Sequence, residues 1–208
     1  MSHTSVGFKV LLVGGVAAFA LTAQAPKPQP TCNHCQATYI PKSELDAYTE
    51  KAIKYKLVDQ QVRSVDIGKS QVGIGMVTRG KLLPGASRKG AVAEHDKVSE
   101  VYYIIEGSAT LLTGPDLVGA EKRPDNETTV VMRNGPGWSA DSITNPQVHH
   151  LKAGDVIIIP AGTGHWFTEI PNQITYMMVR IDPDKAVPTK SQAESEADLK
   201  VVPEKGAR

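Results

Sequence analysis

The sequence lacks any excess of charge of one sign and has no dense stretch of basic residues. Its 23 lysines and arginines are balanced by 22 acidic residues, which leaves a formal net charge of +1 at pH 7. A protein that binds the phosphate backbone of nucleic acid needs a concentrated positive surface. The composition therefore excludes nucleic acid as a partner.

Long hydrophobic runs are also missing. The longest uncharged apolar stretch covers residues 10 to 21, and a helix needs about 20 apolar residues to cross a bilayer. The ending Ala23-Gln24-Ala25 resembles a signal-peptidase site. We therefore predict a signal peptide or N-terminal apolar segment over 1 to 25, no stable membrane span, and export to a periplasmic or extracellular location. Because Pro26 is a poor residue after a cleavage site, cleavage after Ala20 and an uncleaved segment remain alternatives.

Cysteine is scarce, with Cys32 and Cys35 as the two in the sequence. In an oxidising compartment a local disulfide is expected. A redox or metal role that involves His34 is the disfavoured alternative, because no βαβ pattern surrounds the pair. Attachment of c-type haem is excluded, because the residue after Cys35 is Gln36 rather than histidine.

The 208 residues, 40% of them hydrophobic, are enough for one domain with a core and additional segments. Residues 26 to 42 are rich in proline and predict an extended linker that carries the two cysteines. Apolar residues then recur at helical spacing and predict a short amphipathic helix at about 43 to 56, within a segment that ends at 59. From 183 to 208 the sequence is charged and poor in large apolar residues, which predicts a flexible tail.

Between residues 60 and 182 the sequence consists of short β-rich segments separated by glycine and proline turns. This pattern predicts an all-β barrel or double-sheet jelly roll. The polar connections 113–127 and 134–147 are either surface excursions or a cover over one mouth of the barrel. Side chains alternate between two faces over residues 62–67, which indicates a β-rich segment. The other predicted strands are Val72–Thr78, Val101–Ile105, Ala109–Leu112, Thr128–Arg133, Val156–Ile159, His165–Ile170 and Ile174–Ile181.

Two stretches about sixty residues apart each combine a buried strand with potential metal ligands. In the first, His95, Glu100 and Gly107 are spaced by four and six intervening residues. The second has Pro160, Gly162 and His165 after a Gly-Asp turn at 154 and 155. Together they resemble the two motifs of the cupin superfamily, G-x5-H-x-H-x3-4-E-x6-G and G-x5-P-x-G-x2-H-x3-N.

The sequence departs from the cupin motifs at a ligand position of the first motif and at the last position of the second. Ala93 stands where the family has its first histidine, and Glu169 stands where it has asparagine. The resemblance implies a cupin-type double-stranded β-helix, which is a jelly-roll barrel. It also implies that the side chains of His95, Glu100 and His165 lie together inside this barrel. Glu94 points to the opposite face of a strand from Ala93 and His95, so it does not replace the missing ligand.

The three remaining motif residues have the chemistry of a metal site. A buried glutamate is costly unless it is paired or binds a cation, and two imidazoles beside it suit a divalent ion such as Fe, Mn, Ni or Zn. Two histidines and one carboxylate also leave coordination positions open, as in non-haem Fe(II) oxygenases. We predict metal ligation by His95, Glu100 and His165.

Other residues near the motifs have two interpretations each. Tyr102 shares a strand face with Glu100, and it is either a catalytic hydrogen-bond donor or proton shuttle, or a core residue. His149 or His150 either supplies the fourth donor that Ala93 lacks or lies on the surface. Phe167 shares a face with His165 and is expected to form apolar wall.

The resemblance implies two classes of function. One is a metal-dependent enzyme that acts on a small oxygenated molecule, with dioxygenase chemistry first and lyase or isomerase chemistry next. The other is a non-catalytic module that binds or senses a small molecule. Fold resemblance does not choose between them. It also implies a homodimer formed through sheet augmentation.

Overall fold

The structure is a computed structural model that describes residues 1, 30 to 32, 35 to 86 and 88 to 203. The predicted signal peptide at 1 to 25 lies outside the described residues apart from Met1, and export stays a prediction. The described residues from 31 to 203 belong to one compact unit. Within the described residues, no helix combines the length and the apolar character needed to cross a membrane.

Antiparallel strands make up most of this unit, which confirms the all-β prediction. Helix α1 (Lys42–Tyr55) precedes them and helix α2 (Gln192–Lys200) follows them. In chain order the strands are β1 (Asp59–Asp66), β2 (Gln71–Arg79), β3 (Val92–Ala93), β4 (Ser99–Gly114), β5 (Leu117–Val118), β6 (Glu121–Lys122), β7 (Trp138–Ala140), β8 (Ser142–Ile143), β9 (Gln147–Lys152), β10 (Val156–Ile159), β11 (Gly164–Glu169) and β12 (Ile174–Asp182).

Strand β4 connects the two sheets of the barrel. Its first part pairs with β10 and β12, and β12 continues through β2 to β1, which forms the first sheet. Its second part pairs with β9 and β11, and β11 continues through β3 and β7 to β6, which forms the second sheet. The two predicted strands Val101–Ile105 and Ala109–Leu112 are therefore one long strand.

The motif glycine Gly107 lies where β4 passes from one sheet to the other. Its φ is +82°, and a Cβ there would lie 1.9 Å from the carbonyl oxygen of Gln173. A side chain is excluded at this position by both the backbone conformation and the close approach of the neighbouring strand. The inner faces of the sheets then meet in an apolar core formed by Val77, Tyr102, Ile104, Ala109, Leu111, Leu151, Ile159, Phe167, Ile170, Ile174, Tyr176 and Met178.

The cysteine-containing segment is attached to the barrel near the turn between β1 and β2. Cys32 and Cys35 form a disulfide, as predicted for an oxidising compartment. A Cβ at Gly68, in the β1–β2 turn, would lie 2.2 Å from the carbonyl oxygen of Thr31. The disulfide segment therefore packs directly against this turn.

One of the predicted strands is wrong. The β-branched run Thr128–Arg133 favours a strand by propensity, but Val130–Asn134 forms a turn of π-helix. The N–H of Val131 donates locally to the carbonyl of Glu127 at 2.9 Å, so its hydrogen bonds do not join a sheet. The connections at 113–127 and 134–147 contain the short strands β5 to β8, which the sequence did not predict, and β6 and β7 extend the second sheet through β3.

The predicted flexible tail is wrong for residues 192 to 200, which form α2. Ser191 caps this helix, and its hydroxyl and the carboxylate of Glu194 form a reciprocal capping box. Ser195 is fully buried and donates to Glu44 Oε1 at 2.7 Å, and its oxygens lie 3.0 Å from the Tyr48 hydroxyl. Because the polar contacts lie between α2 and α1, hydrophobicity alone did not reveal them.

Replacing Ser195 by alanine should lower the free energy of unfolding by about 2 kcal/mol, because the partly buried Glu44 carboxylate loses a hydrogen bond. Urea unfolding followed by circular dichroism measures this change. Gln192→Ala, on the exposed side of the same helix, should change stability by less than about 0.5 kcal/mol. Equal stability of Ser195→Ala and the wild type would contradict the docking of α2.

Candidate metal centre

The structure brings the three predicted ligands together at the centre of the barrel. Glu100 lies on the first part of β4, in the first sheet, and His165 lies near the start of β11, in the second sheet. His95 follows β3 in a loop rather than lying on the strand itself. All three side chains are buried, with relative exposures of 3% for His95, 2% for Glu100 and 8% for His165.

The Glu100 carboxylate lies between the two imidazoles. His95 Nε2 is 3.4 Å from Glu100 Oε1, and His165 Nε2 is 3.5 Å from Glu100 Oε2. One potential ligand atom from each residue lies within 4.8 Å of the others. Two ligands each about 2.1 Å from an ion at a tetrahedral angle are about 3.4 Å apart. The donor set and its spacing therefore fit a divalent ion.

His165 is oriented for ligation through Nε2. Its Nδ1 is 3.2 Å from the carbonyl oxygen of Thr163, which can only accept a hydrogen bond. Nδ1 therefore carries the proton of the neutral ring, and the Nε2 lone pair faces Glu100. A histidine ligand held by a backbone carbonyl is the usual arrangement around metals in proteins.

His95 has a different neighbour, the guanidinium of Arg123. Arg123 Nη1 lies 3.4 Å from His95 Nδ1, and the same side chain donates to the carbonyls of Glu94 and Trp138 at 3.0 and 2.8 Å. Because a guanidinium only donates, this contact places the proton of neutral His95 on Nε2. For His95 to bind a metal through Nε2, the proton on Nε2 must leave and the contact between Arg123 and Nδ1 must loosen.

Glu100 remains a carboxylate because of the groups around it. Burial alone would raise its pKa, but His95, His165 and Arg180 outweigh burial and hold the pKa of Glu100 well below its usual range. The Tyr102 hydroxyl donates to Glu100 Oε2 at 2.6 Å, and Arg180 Nε lies 3.6 Å from Oε1. The carboxylate is thus available as a ligand at neutral pH.

Tyr102 lies beside the ligands, and its side chain is buried. Burial, followed by the neighbouring Glu100 charge, raises the pKa of Tyr102 well above its usual value. The phenol therefore keeps its proton and acts as a donor that orients Glu100. Its ring also packs on Tyr176, with ring centroids 4.5 Å apart, so it is a core residue as well. A catalytic role for Tyr102 stays a prediction.

Arg180 is a fully buried cation behind Glu100 that the sequence analysis missed. Its Nη1 donates to Gln61 Oε1 and its Nη2 to Asp59 Oδ2, both at 2.5 Å. Glycine at position 75 leaves room for it, since a Cβ there would lie 3.0 Å from Arg180 Nη1. The available signal was a charged residue at an inward-facing position of the apolar strand 174–181.

No described residue replaces the histidine that is absent at position 93. Ala93 pairs directly with His165, so the two side chains share one face. The carboxylate of Glu94 instead accepts from the backbone N–H of Trp138 at 3.1 Å. His149 Nε2 lies 2.8 Å from the Thr113 hydroxyl, and His150 is exposed. Neither histidine joins the ligand cluster, which is the one group of three or more potential ligands found across the described ranges.

Acid should destabilise the metal-free protein through His165. Burial is the main cause that lowers the pKa of His165 from 6.5 to about 4. Below pH 6.5 the unfolded chain therefore binds a proton that the folded state does not accept until about pH 4, and stability falls across this window. Between pH 7 and 5.5 this contribution costs about 1 kcal/mol.

Urea unfolding of EDTA-treated protein at these two pH values measures the effect. His165→Gln should lose less stability on acidification than the wild type, by about 1 kcal/mol. His150→Gln, which alters an exposed histidine, should behave as the wild type. An equal loss in the wild type and His165→Gln would show that the buried neutral imidazole is not responsible.

No family model and no curated protein matches the sequence. Among solved structures, the Bacillus halodurans protein BH2720 matches 79% of this chain and 98% of its own, at 13% identity and a TM-score of 0.41. An uncharacterised Klebsiella pneumoniae protein with a double-stranded β-helix domain matches 61% and 75%, at 19% identity and a TM-score of 0.33. The DMSP lyase DddQ of Ruegeria pomeroyi matches 66% and 53%, at 13% identity and a TM-score of 0.37.

These TM-scores all lie below 0.5, so the fold assignment rests on the strand order of this chain. A long strand is shared by two antiparallel sheets, as in a jelly roll, and the ligand residues of both motifs meet between these sheets. Gly107 occupies the position where only glycine fits. The strand arrangement and the positions of the motif residues agree with the cupin-type double-stranded β-helix that the sequence predicts.

Proposed function

We propose that His95, Glu100 and His165 hold a divalent metal ion and that this centre acts on a small oxygenated molecule. One observation carries the proposal: a buried carboxylate lies between the Nε2 atoms of two buried histidines, at 3.4 and 3.5 Å. Iron, manganese, nickel and zinc all suit two imidazoles and one carboxylate.

The surrounding residues support this role. Thr163 holds His165 in the tautomer whose Nε2 is free. Tyr102 donates to Glu100 and fixes the orientation of its carboxylate. Such contacts behind the ligands are needed for tight metal binding. Ala93 contributes a methyl group where a fourth ligand would otherwise lie, which leaves that side of the centre for a substrate.

A metal-dependent enzyme is the first candidate. When bound, a divalent ion supplies Lewis acidity, and a redox-active ion also supports chemistry with dioxygen. Dioxygenase activity is therefore the first reaction to test, and lyase or isomerase activity the next. In each case the protonated Tyr102 would serve as a donor and not as a general base, because its pKa is raised.

A non-catalytic module that binds or senses a small molecule is the second candidate. The specific observation in its favour is Arg123, which donates to His95 Nδ1 and opposes ligation through Nε2. Ala93 supplies no fourth ligand, which also favours a centre that binds metal weakly or not at all. Such a module predicts stabilisation by its ligand without product formation.

Metal content tests the proposed centre directly. Full-length, tag-free protein would be incubated separately with Fe(II), Mn(II), Ni(II) and Zn(II), desalted, and analysed by inductively coupled plasma mass spectrometry. The wild type should retain about one ion per chain for at least one metal. Glu100→Gln should lose the bound ion. Tyr102→Phe keeps all three ligands and should bind the ion about tenfold more weakly.

His150→Gln is the matched control and should bind as the wild type does. If Glu100→Gln fails to fold by circular dichroism, His165→Asn tests the same ligand set. Equal metal content in the wild type and a folded ligand variant would contradict the proposed centre, as would a wild type that retains no metal.

We also propose a homodimer through the outer face of the first sheet. Tyr103, Ile105, Val156 and Ile158 are exposed there, and Ile158 reaches 68% relative exposure. Among the described strands, β10 pairs only with β4, so its other edge is open. An apolar face beside an open strand edge is a surface that proteins usually cover.

Light scattering coupled to size-exclusion chromatography tests the dimer. The wild type should elute with about twice the chain mass, and Ile158→Lys should shift the population to monomer because it buries a charge in the interface. Lys152→Glu, at an exposed position on β9, is the control. A monomeric wild type would contradict the proposal.

A further inference from the structure

We propose that Arg79 forms an anion-binding subsite inside the barrel, and that the ligand of the centre is a small organic carboxylate with a second oxygen function. The part of this proposal in which the ligand also binds the metal rests on the proposed function. The anion-binding role of Arg79 rests on its own contacts and charge.

Arg79 is placed in the barrel interior by its strand. It is the last residue of β2 and pairs with Ile174, which is fully buried. Its guanidinium carbon lies 5.1 Å from the centroid of the Phe167 ring, and its Nε donates to the Tyr176 hydroxyl at 3.2 Å. Stacking on an aromatic ring and a hydrogen bond at Nε together fix the plane of the guanidinium.

These two contacts connect Arg79 to the metal ligands. Phe167 follows His165 by two residues on β11, so both side chains face the interior. The Tyr176 ring packs on Tyr102, which donates to Glu100. Arg79 therefore belongs to the same group of interior side chains as the proposed centre.

Among the described residues, no carboxylate forms a direct ion pair with Arg79. Within the described residues no carboxylate oxygen lies within 4.0 Å of its guanidinium, whereas Arg63 and Arg180 are paired with Glu44 and Asp59. The described contacts of Arg79 use Nε and the ring face, which leaves both Nη groups as unused donors. A partly buried cation without a partner is costly, and a bound anion would remove that cost.

The geometry of the free donors favours a carboxylate. The two Nη groups of a fixed guanidinium match the two oxygens of a carboxylate. Arg123 also lacks a carboxylate within 4.0 Å among the described residues and lies beside His95. With a divalent ion present, the interior would have a clear positive excess, which attracts anions and disfavours cations.

Isothermal titration calorimetry of the full-length protein with malonate, succinate and glutarate tests the subsite. The three dicarboxylates differ in length, and their neutral diamides are matched probes without charge. At least one dicarboxylate should bind the wild type, and Arg79→Gln should weaken it at least tenfold. Arg79→Lys keeps the charge but loses the paired Nη donors, so its affinity should lie between those of the wild type and Arg79→Gln. Arg88→Gln, an exposed arginine, should leave the affinity unchanged.

The titrations are made on both zinc-loaded and EDTA-treated protein, with metal content measured in each variant. Arg79-dependent binding to the EDTA-treated protein would support the subsite even if the wild type retained no metal. Folding of Arg79→Gln is checked by circular dichroism, and Arg79→Lys replaces it if it unfolds. The inference is overturned if no dicarboxylate binds, if a diamide binds as tightly, or if the Arg79 variants bind within twofold of the wild type.

Discussion

The Glu100 carboxylate, with 2% of its surface exposed, is the constraint around which the barrel interior is arranged. An ionised carboxylate so far from water is unstable unless positive or hydrogen-bond-donating groups surround it. Tyr102, Arg180 and the two histidines provide these groups, each from a different part of the fold. A divalent ion between the histidines and Glu100 would compensate the charge more completely than the imidazoles do.

The strand arrangement brings these groups to one place. Glu100 lies in the part of β4 that belongs to the first sheet, while His165 lies on β11, which pairs with the other part of the same strand. The closure of two sheets around β4 therefore places a carboxylate opposite an imidazole. Arg180 fits beside β2 because Gly73 and Gly75 have no side chains to fill that space. The position of a cation behind Glu100 thus depends on residues in a neighbouring strand.

Much of the barrel and the ligand cluster could be predicted from the sequence, because both depend on local patterns. Strand alternation and turn glycines predicted the barrel, and the resemblance to the cupin motifs implied that His95, Glu100 and His165 would meet. The position of His95 beyond the end of β3 was not foreseen, since a two-residue strand leaves almost no periodic signal. Arg180 could have been suspected from its inward-facing position on an apolar strand.

Other features have no local signal. Arg123 comes from a polar connection, and its role depends on where the short strands β6 and β7 place it. The tail around Ser195 contains few apolar residues, yet it docks through hydrogen bonds with Glu44 and Tyr48, about 150 residues away in the chain. Long-range polar contacts of this kind are set by the tertiary fold, so hydrophobic periodicity does not predict them.

A crystal structure of the metal-loaded protein, with anomalous diffraction recorded at the absorption edge of the bound ion, would locate the proposed metal. One strong anomalous peak is expected at about 2.0 to 2.3 Å from Nε2 of His95, an oxygen of Glu100 and Nε2 of His165. Arg123 should also have moved away from His95 Nδ1. No peak at these three residues, or a fully occupied ion bound elsewhere, would show that they do not form the metal centre.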